Sequence, residues 1–540
     1  MIIHITKAPM KSIQLILILT LAVWPCTASA AEPPRPNILV FLADDLGYGD
    51  LGCYGAKEIR TPHLDRMAAE GLRFSSFYAQ AFCGPSRTAL LTGCYPLRVA
   101  EIGNKKHHMP VPHSRETLLS EVLQRAGYAT AMIGKWDLAG HEPDRWEHPQ
   151  NSPLKRGFDR QFGTPASNDF WEKTVLFRDD QVIENPVDLT ESTTKRYADE
   201  AIRFIREKKG QPFFAYVCPN MPHTALHAGA EFRGKSPRGL YGDVVEELDH
   251  HVGRILETLR SEGIEQNTVV LFTSDNGPWL LRKEHGGSAG LLRGGKTSTW
   301  EGGVRVPAIA WAPGRIAAGQ TSGRIVSTLD LLPTFAKLAS ATLPENKLDG
   351  RDLSGWLLNK PPTDKDSATH LYHVNTHLQA VRQGRWKLHL PRPVPVPWLS
   401  RGLRRAHIAE ADLFEIKVPL LYDLDADIRE QTDVALQHPD VVRHLLALAD
   451  KSRVEIGDYD RIGTEARFFD GGPPRPDMND WKREQEKAAP TKNTSADADE
   501  LQPRRTKPVK LLLDETFSTA TLDKPWEPSC SASKRSTAER

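Results

Sequence analysis

Residues 38–42 read Ile-Leu-Val-Phe-Leu without a polar interruption, between the proline-rich "PPRPN" and the acidic "ADDLGYGD". A strand exposed on one side alternates apolar and polar residues, so an unbroken run of this length predicts a parallel strand covered on both faces. "TPHLDRMAAEG" follows as a short helix, with Thr61 as its cap, Pro62 in its first turn and Gly71 as its stop. "TLLSEVLQRAGYATAMIGKW" then gives a helix, a glycine break and a strand. The same order returns in "RYADEAIRFIREKKGQPFFAYVCPNMPH" and in "YGDVVEELDHHVGRILETLRSEGIEQNTVVLFTSDNG". Helices and strands alternating at this spacing predict an α/β domain around a mostly parallel central sheet between helices.

The pattern changes after about residue 365. "LQAVRQGRWKLHL" and "LFEIKVPLLYDLDADIREQTDVA" read as antiparallel strands and "HPDVVRHLLALADKSRVEI" as a closing helix, a small C-terminal α+β subdomain. From residue 461 the chain turns polar and low in complexity, and 461–540 is expected to be a disordered tail. The expected organisation is therefore 36–365 for the α/β domain, 366–460 for the subdomain and 461–540 for the tail.

Residues 1–30 differ from all of this. Lys7 and Lys11 precede the apolar "SIQLILILTLAVW", and Ala28-Ser29-Ala30 fits a small-residue cleavage site. That arrangement reads as a secretory signal peptide and predicts a secreted or periplasmic protein. Cys26 is a poor lipoprotein anchor after Trp24-Pro25. The chain has no other run of roughly 18 apolar residues, so no stable membrane span is expected. Lys plus Arg number 70 against 69 Asp plus Glu, and a net charge of +1 gives no reason to expect nucleic acid as a partner.

Asp44-Asp45, Lys135, His223 and Asp275-Asn276 each follow the C-terminal end of a predicted strand. In open α/β sheets that edge is where ligands bind. Asp44, Asp45, Asp275 and Asn276 are hard oxygen donors, which select Ca2+, or with less preference Mg2+, over zinc or copper. Removal of the leader leaves Cys53, Cys83, Cys94, Cys218 and Cys530, an odd number too small for a disulfide scaffold. Cys53 and Cys94 are a candidate pair. A thiol at Cys83, beside a hard cation, is chemically mismatched unless it is incidental or converted.

"CGPSR" followed by "TALLTG" resembles the signature of the sulfatases, in which the cysteine of Cys-x-Pro-x-Arg is oxidised to formylglycine. "PNILVFLADDLGYGDLGCYG", "IRTPHLDRMAAEGLRFSSFYAQ", "GFDRQFG", "PFFAYVCPNMPH", "SDNG", "LRGGKTSTWEGGVRVP", "AVRQGRWKL" and "LYDL" are similar to that family in the same order, from about residue 36 to about residue 450. The resemblance implies an alkaline phosphatase-like fold and a formylglycine at Cys83, installed by a maturation enzyme. It implies hydrolysis of sulfate monoesters of a small molecule or polysaccharide. Asp44, Asp45, Asp275 and Asn276 would hold Ca2+ with the residue 83 oxygen. Arg87 would steady the formylglycine, Lys135 and Lys296 would hold sulfate oxygens, and His223 would lie near the leaving oxygen. A hydrated aldehyde offers one oxygen to take the sulfuryl group and a second to expel it, an exit that serine lacks.

One position departs from the family. Gly-Lys-Trp-His-Leu-Gly is the usual motif, whereas this chain reads "GKWDLAG", with Asp137 at the histidine position and His141 four residues on. Asp137 is expected to act as a variant base, with His141 able to fill the gap. His285 is a further candidate near the metal loop, Trp279 and Trp300 are either sugar platforms or core, and His107 and His108 are expected in a solvated loop. Two rival readings stand beside the sulfatase: a phosphate or phosphonate ester hydrolase on the same fold, and an inactive relative that binds sulfated glycans.

Overall fold

Five parallel strands form the centre of the structure, and their order explains why distant residues converge. The computed structural model describes residues 35–101, 111–359, 368–374, 376–392, 416–458 and 461–467, all within one unit, Met1–Pro476. The expected leader, His107, His108 and Cys530 lie outside the described residues. The large sheet comprises β1 (Asn37–Ala43), β2 (Leu72–Tyr78), β3 (Ala129–Lys135), β4 (Arg160–Thr164), β5 (Leu176–Arg178), β6 (Gln181–Glu184), β7 (Phe213–Cys218), β8 (Thr268–Ser274), β9 (Arg305–Trp311), β10 (Gln320–Ser322) and β11 (Val326–Ser327). Their order is β10-β2-β9-β8-β1-β7-β3-β4-β5-β6, with β11 also on β2. β8, β1, β7, β3 and β4 run parallel, while β9, β5 and β6 introduce antiparallel pairings at the flanks.

β1 shows why its sequence is unbroken. Leu39, Phe41 and Ala43 enter one core and Ile38, Val40 and Leu42 the other, on opposite faces of the sheet. The first core is closed by α1 (Pro62–Glu70), α4 (Thr193–Lys208) and α5 (Gly239–Ser261). The second is closed by α2 (Cys83–Thr92), α3 (Leu119–Arg125) and α6 (Leu331–Leu338). Gly134 has a left-handed φ of 110° between β7 and β4, and a Cβ there would stand 2.0 Å from the Cys218 carbonyl oxygen. Only glycine admits that approach.

Thr61 precedes α1 as expected, but its hydroxyl does not cap the helix; it donates to Asp65 at 3.1 Å. The free N–H groups of His63 and Leu64 donate instead to the Asp249 carboxylate on α5, at 3.2 and 2.7 Å. Tertiary packing supplies the cap that the local sequence was expected to supply.

The C-terminal region forms a separate antiparallel sheet, β12 (Thr369–Val374), β13 (His377–Gln383), β14 (Trp386–His389) and β15 (Leu420–Asp423), with α7 (Pro439–Glu455) packed on it. The described structure runs on through Arg467, past the expected boundary at 460. Arg467 pairs with Glu116 at 2.7 Å, and Arg98 pairs with Glu465 at 3.2 Å. The start of the expected tail is thus bound to the α/β domain. Cys53, Cys83, Cys94 and Cys218 are all free thiols, so the candidate Cys53–Cys94 disulfide is absent. Among the described residues no helix is long and apolar enough to cross a membrane.

His370 and His373 on β12 are buried, and burial pushes both imidazoles from 6.5 down to about 3. Their folded values are depressed, so the stability they allow is complete above pH 6.5 and is lost as pH falls toward 3, because only the unfolded chain takes up the protons. Each contributes a loss of about 2 kcal/mol between pH 6.5 and pH 5. Thermal melts at pH 7 and pH 5 should show a lower Tm in acid, and His373→Phe should remove part of that difference. An unchanged pH dependence in the variant would exclude His373 as a cause.

Candidate active site

All the polar residues expected at strand ends reach one rim. Asp44 and Asp45 follow β1, Lys135 ends β3, His223 follows β7, and Asp275 and Asn276 follow β8. β2 runs in the same direction as β8, through the antiparallel β9, so it delivers residue 83 to the same edge. Cys83 is the first residue of α2, where free N–H groups and the helix dipole favour negative charge. Pro85 occupies the first turn, where no N–H is needed, and left-handed Gly93 ends the helix.

Ligand atoms of Asp44, Asp45, Cys83 and Asp275 all lie within 4.8 Å of one another, and all four residues are buried. Cys83 Sγ is 3.2 Å from Asp44 Oδ1 and 3.5 Å from Lys296 Nζ. Lys296 Nζ lies 2.7 Å from Asp45 Oδ1, and Lys135 Nζ lies 2.8 Å from Asp44 Oδ2. Arg87 spans two strand ends, donating to the Lys135 carbonyl at 2.7 Å and to Asp275 Oδ2 at 2.8 Å. Asn276 Nδ2 donates to Asp45 Oδ1 at 2.7 Å, while its buried Oδ1 has no hydrogen-bond partner. Asp45 reaches its place through a left-handed φ of 66°, which aspartate tolerates better than most residues.

The charges shift one another. Burial raises the Asp44 carboxyl, but Lys135, His223, Arg87 and Lys296 outweigh it and hold the group well below the usual carboxylate range. Burial and the neighbouring Asp44 charge push Asp275 upward, against the pull of Arg87. Burial lowers both Lys135 and Lys296, yet the surrounding carboxylates raise them above the ordinary lysine value, so both stay cationic. Burial among carboxylates pushes the Cys83 thiol well above 9.0. A thiol held protonated is a weak nucleophile.

This donor set fits a hard divalent cation. Three buried carboxylates converge with the orphaned oxygen of Asn276, and one of the three, Asp275, is raised by burial and the Asp44 charge despite its pairing with Arg87. Asp44, Asp45, Asp275 and Asn276 would hold the ion.

His223 is buried beside the cluster, its Nε2 3.8 Å from Asp45 Oδ2. Its Nδ1 contacts the Thr224 carbonyl, which only accepts, so Nδ1 carries the proton in the neutral ring. Burial and Lys296 hold this imidazole below 6.5. Asp137, with a left-handed φ of 65°, places Oδ2 3.6 Å from Lys135 Nζ and Oδ1 2.9 Å from His141 Nδ1. Burial raises Asp137 but Lys135 and His141 prevail and bring it to about 2. Asp137 in turn raises His141, whose side chain is 40% exposed.

Trp279 also belongs to the site: its ring is 5.3 Å from His223, with Lys296 Nζ 4.6 Å from its centroid. Trp300 is a core residue, its ring tilted against that of His389 with centroids 4.1 Å apart. His285 is exposed on the turn Leu280–His285. Two contributors were not singled out from the sequence. Ser86 donates its hydroxyl to the Asp275 carbonyl, tying α2 to the metal loop, and Asp169 sits close enough to His223, Lys296 and His141 to be lowered by them against its own burial. Ser86 lies inside the cysteine motif, where that signal was available; nothing in the linear sequence marks Asp169.

Comparison with known proteins agrees with this geometry. The family model described as Sulfatase matches residues 36–341, and the C-terminal region of aryl-sulfatase matches 365–466. N-acetylgalactosamine-6-sulfatase of Rattus norvegicus is 41% identical over 67% of this chain and 72% of its own. Arylsulfatase A of Homo sapiens is 37% identical over 78% of this chain and 88% of its own. A solved protein from work on the metabolism of glycosaminoglycans by Bacteroides thetaiotaomicron superposes with a TM-score of 0.68 at 29% identity, over 78% of this chain and 100% of that one. The buried acidic cluster at the rim, the cysteine at a helix start within it and the matches along both halves of the chain lead to one conclusion: this protein belongs to the sulfatase family, enzymes that hydrolyse sulfate esters.

Proposed function

We propose that the protein is an exported, calcium-dependent sulfatase that cleaves sulfate monoesters of carbohydrates through a formylglycine made from Cys83. The observation that carries this reading is the position of residue 83, at a helix N-terminus with Asp44 at 3.2 Å and Lys296 at 3.5 Å. The similarity to N-acetylgalactosamine-6-sulfatase supports a sulfated N-acetylated amino sugar as the substrate class.

Asp44, Asp45, Asp275 and Asn276 hold the calcium ion in this reading. When bound, the ion supplies Lewis-acid charge beside residue 83 and reverses the sign of a cluster in which Lys135, Lys296 and Arg87 face four carboxylates, Asp137 included. As formylglycine hydrate, residue 83 offers one oxygen to the sulfur and keeps a second to expel the sulfate. Lys135 and Lys296 hold sulfate oxygens, stabilising charge that grows in the transition state. Arg87 fixes the start of α2 against the strand ends. His223 lies beside the leaving oxygen and serves there as the proton donor. Asp137 holds His141 Nδ1, and the pair serves as the proton carrier on the Lys135 side.

Three outcomes test this reading. A mass spectrum of the tryptic peptide Phe74–Arg87 from the native host should show an aldehyde or its hydrate in place of the thiol, and Cys83→Ser should abolish turnover. An intact thiol in active enzyme, or a preference for phosphate over sulfate esters of the same alcohol, would overturn the assignment. Calorimetric titration should show calcium binding that Asp45→Asn weakens at least about tenfold. Because Asp137 raises His141, Asp137→Asn should move the pH at which His141 loses its proton downward in the profile of kcat/KM; a profile that does not move would remove His141 from the reaction.

A further inference from the structure

A second set of buried charges lies where the C-terminal sheet meets the loop that carries Lys296. Glu301, fully buried, accepts from the Tyr78 hydroxyl at 2.6 Å, the Tyr372 hydroxyl at 3.0 Å, Arg305 at 3.1 Å and Lys387 Nζ at 2.9 Å. Lys387, on β14 and equally buried, also donates to the Thr299 carbonyl at 2.7 Å and stands 2.8 Å from Glu430 Oε1. The other Glu430 oxygen accepts the Glu301 backbone N–H at 2.7 Å. The Thr299 hydroxyl donates to Gln379 of β13 at 3.0 Å, and Arg382 of β13 donates to the Tyr78 hydroxyl.

These bonds bear on the site because of what they hold. No strand stands between β8 and β9, the stretch from which Lys296 reaches the cluster, and the helix that ends it, Glu301–Val304, is a single turn. Near Lys296 the backbone is tied by its own N–H to the Pro278 carbonyl at 2.9 Å, by that of left-handed Thr297 to the Ala81 carbonyl at 3.0 Å and by that of Ser298 to the Gly295 carbonyl at 3.1 Å. The following anchors, Lys387 and Gln379 on Thr299, come from the C-terminal sheet, while Glu301 is held both by Lys387 there and by Tyr78 and Arg305 of the α/β domain. Ions buried in this way cost several kcal/mol each to desolvate, and they persist because each satisfies its neighbours.

We infer that Lys387 is a positioning residue for sulfate binding: by fixing the Thr299 carbonyl it sets the Lys296 ammonium, three residues away, so the C-terminal sheet is part of the active-site apparatus. This rests on the reading of Lys296 as a sulfate-holding group. A displacement of about 1 Å at such a group costs up to about a hundredfold in rate.

The test uses full-length, matured, calcium-loaded protein, with the converted fraction of residue 83 measured by mass spectrometry and rates expressed per converted site. Lys387→Met should raise the inhibition constant of inorganic sulfate about tenfold, with the KM of a sulfated sugar rising alongside it and kcat falling less. Thr299→Val, which keeps the shape and removes the hydroxyl's bonds to Gln379 and Arg392, should move both constants the same way by about threefold. A lower Tm in both variants with wild-type inhibition by sulfate would show that the network only stabilises the fold, and would overturn the inference. Lys296→Ala serves as the reference. If it leaves sulfate inhibition unchanged, the reading of Lys296 is wrong and the inference falls with it. If it weakens sulfate while the other two variants do not, the link to the C-terminal sheet alone fails. Should Lys387→Met not fold, Thr299→Val decides.

Discussion

Four carboxylates and three cationic side chains lie out of water at the rim of the sheet, and the rest of the molecule is arranged so that they can. Isolated, each would cost several kcal/mol to bury. Together, Asp44 with Lys135, Asp45 with Lys296, and Asp275 with Arg87 satisfy one another at 2.7–2.8 Å. The pairing is one carboxylate in excess, with Asp137 lying 3.6 Å from Lys135. That excess makes the cluster receptive to a cation, and Asp275 registers it by holding its proton more tightly than an ordinary aspartate.

Parallel topology is what brings such groups together. Every parallel strand ends at the same edge, so residues 44, 135, 223 and 275 become neighbours although more than two hundred positions separate the first from the last. β2 joins them because two antiparallel steps restore its direction. Arg87 then fastens α2 to two of those ends, so the residue 83 position is defined by the sheet rather than by its own loop.

Much of this was legible in the chain. The unbroken apolar run at 38–42 marked a strand with two covered faces, and the polar residues that follow each such run marked the rim. What the linear sequence did not reveal depends on partners that meet only in the folded state. Asp249 replaces Thr61 as the cap of α1 across a helix–helix contact. Glu301, Lys387 and Glu430 look like ordinary surface charges in sequence, since nothing local distinguishes a charge to be buried from one to be solvated. The segment 461–467 reads as polar tail, yet Glu465 and Arg467 find Arg98 and Glu116 on the α/β domain. Asp137 and His141, by contrast, stand four residues apart, and their contact follows from that short spacing.

Burial of residue 83 also imposes an order of events. Its side chain is 2% exposed in the finished fold, packed behind Asp44 and Lys296. If the proposed conversion of Cys83 takes place, the side chain has to be met as open chain, before the helix closes over it. Lys387 and Glu430, which fasten the segment that carries Lys296, lie about three hundred residues later in the chain, and pairings so distant in sequence form slowly. The anchoring of the Lys296 segment therefore completes late in folding, and the closed site around residue 83 with it.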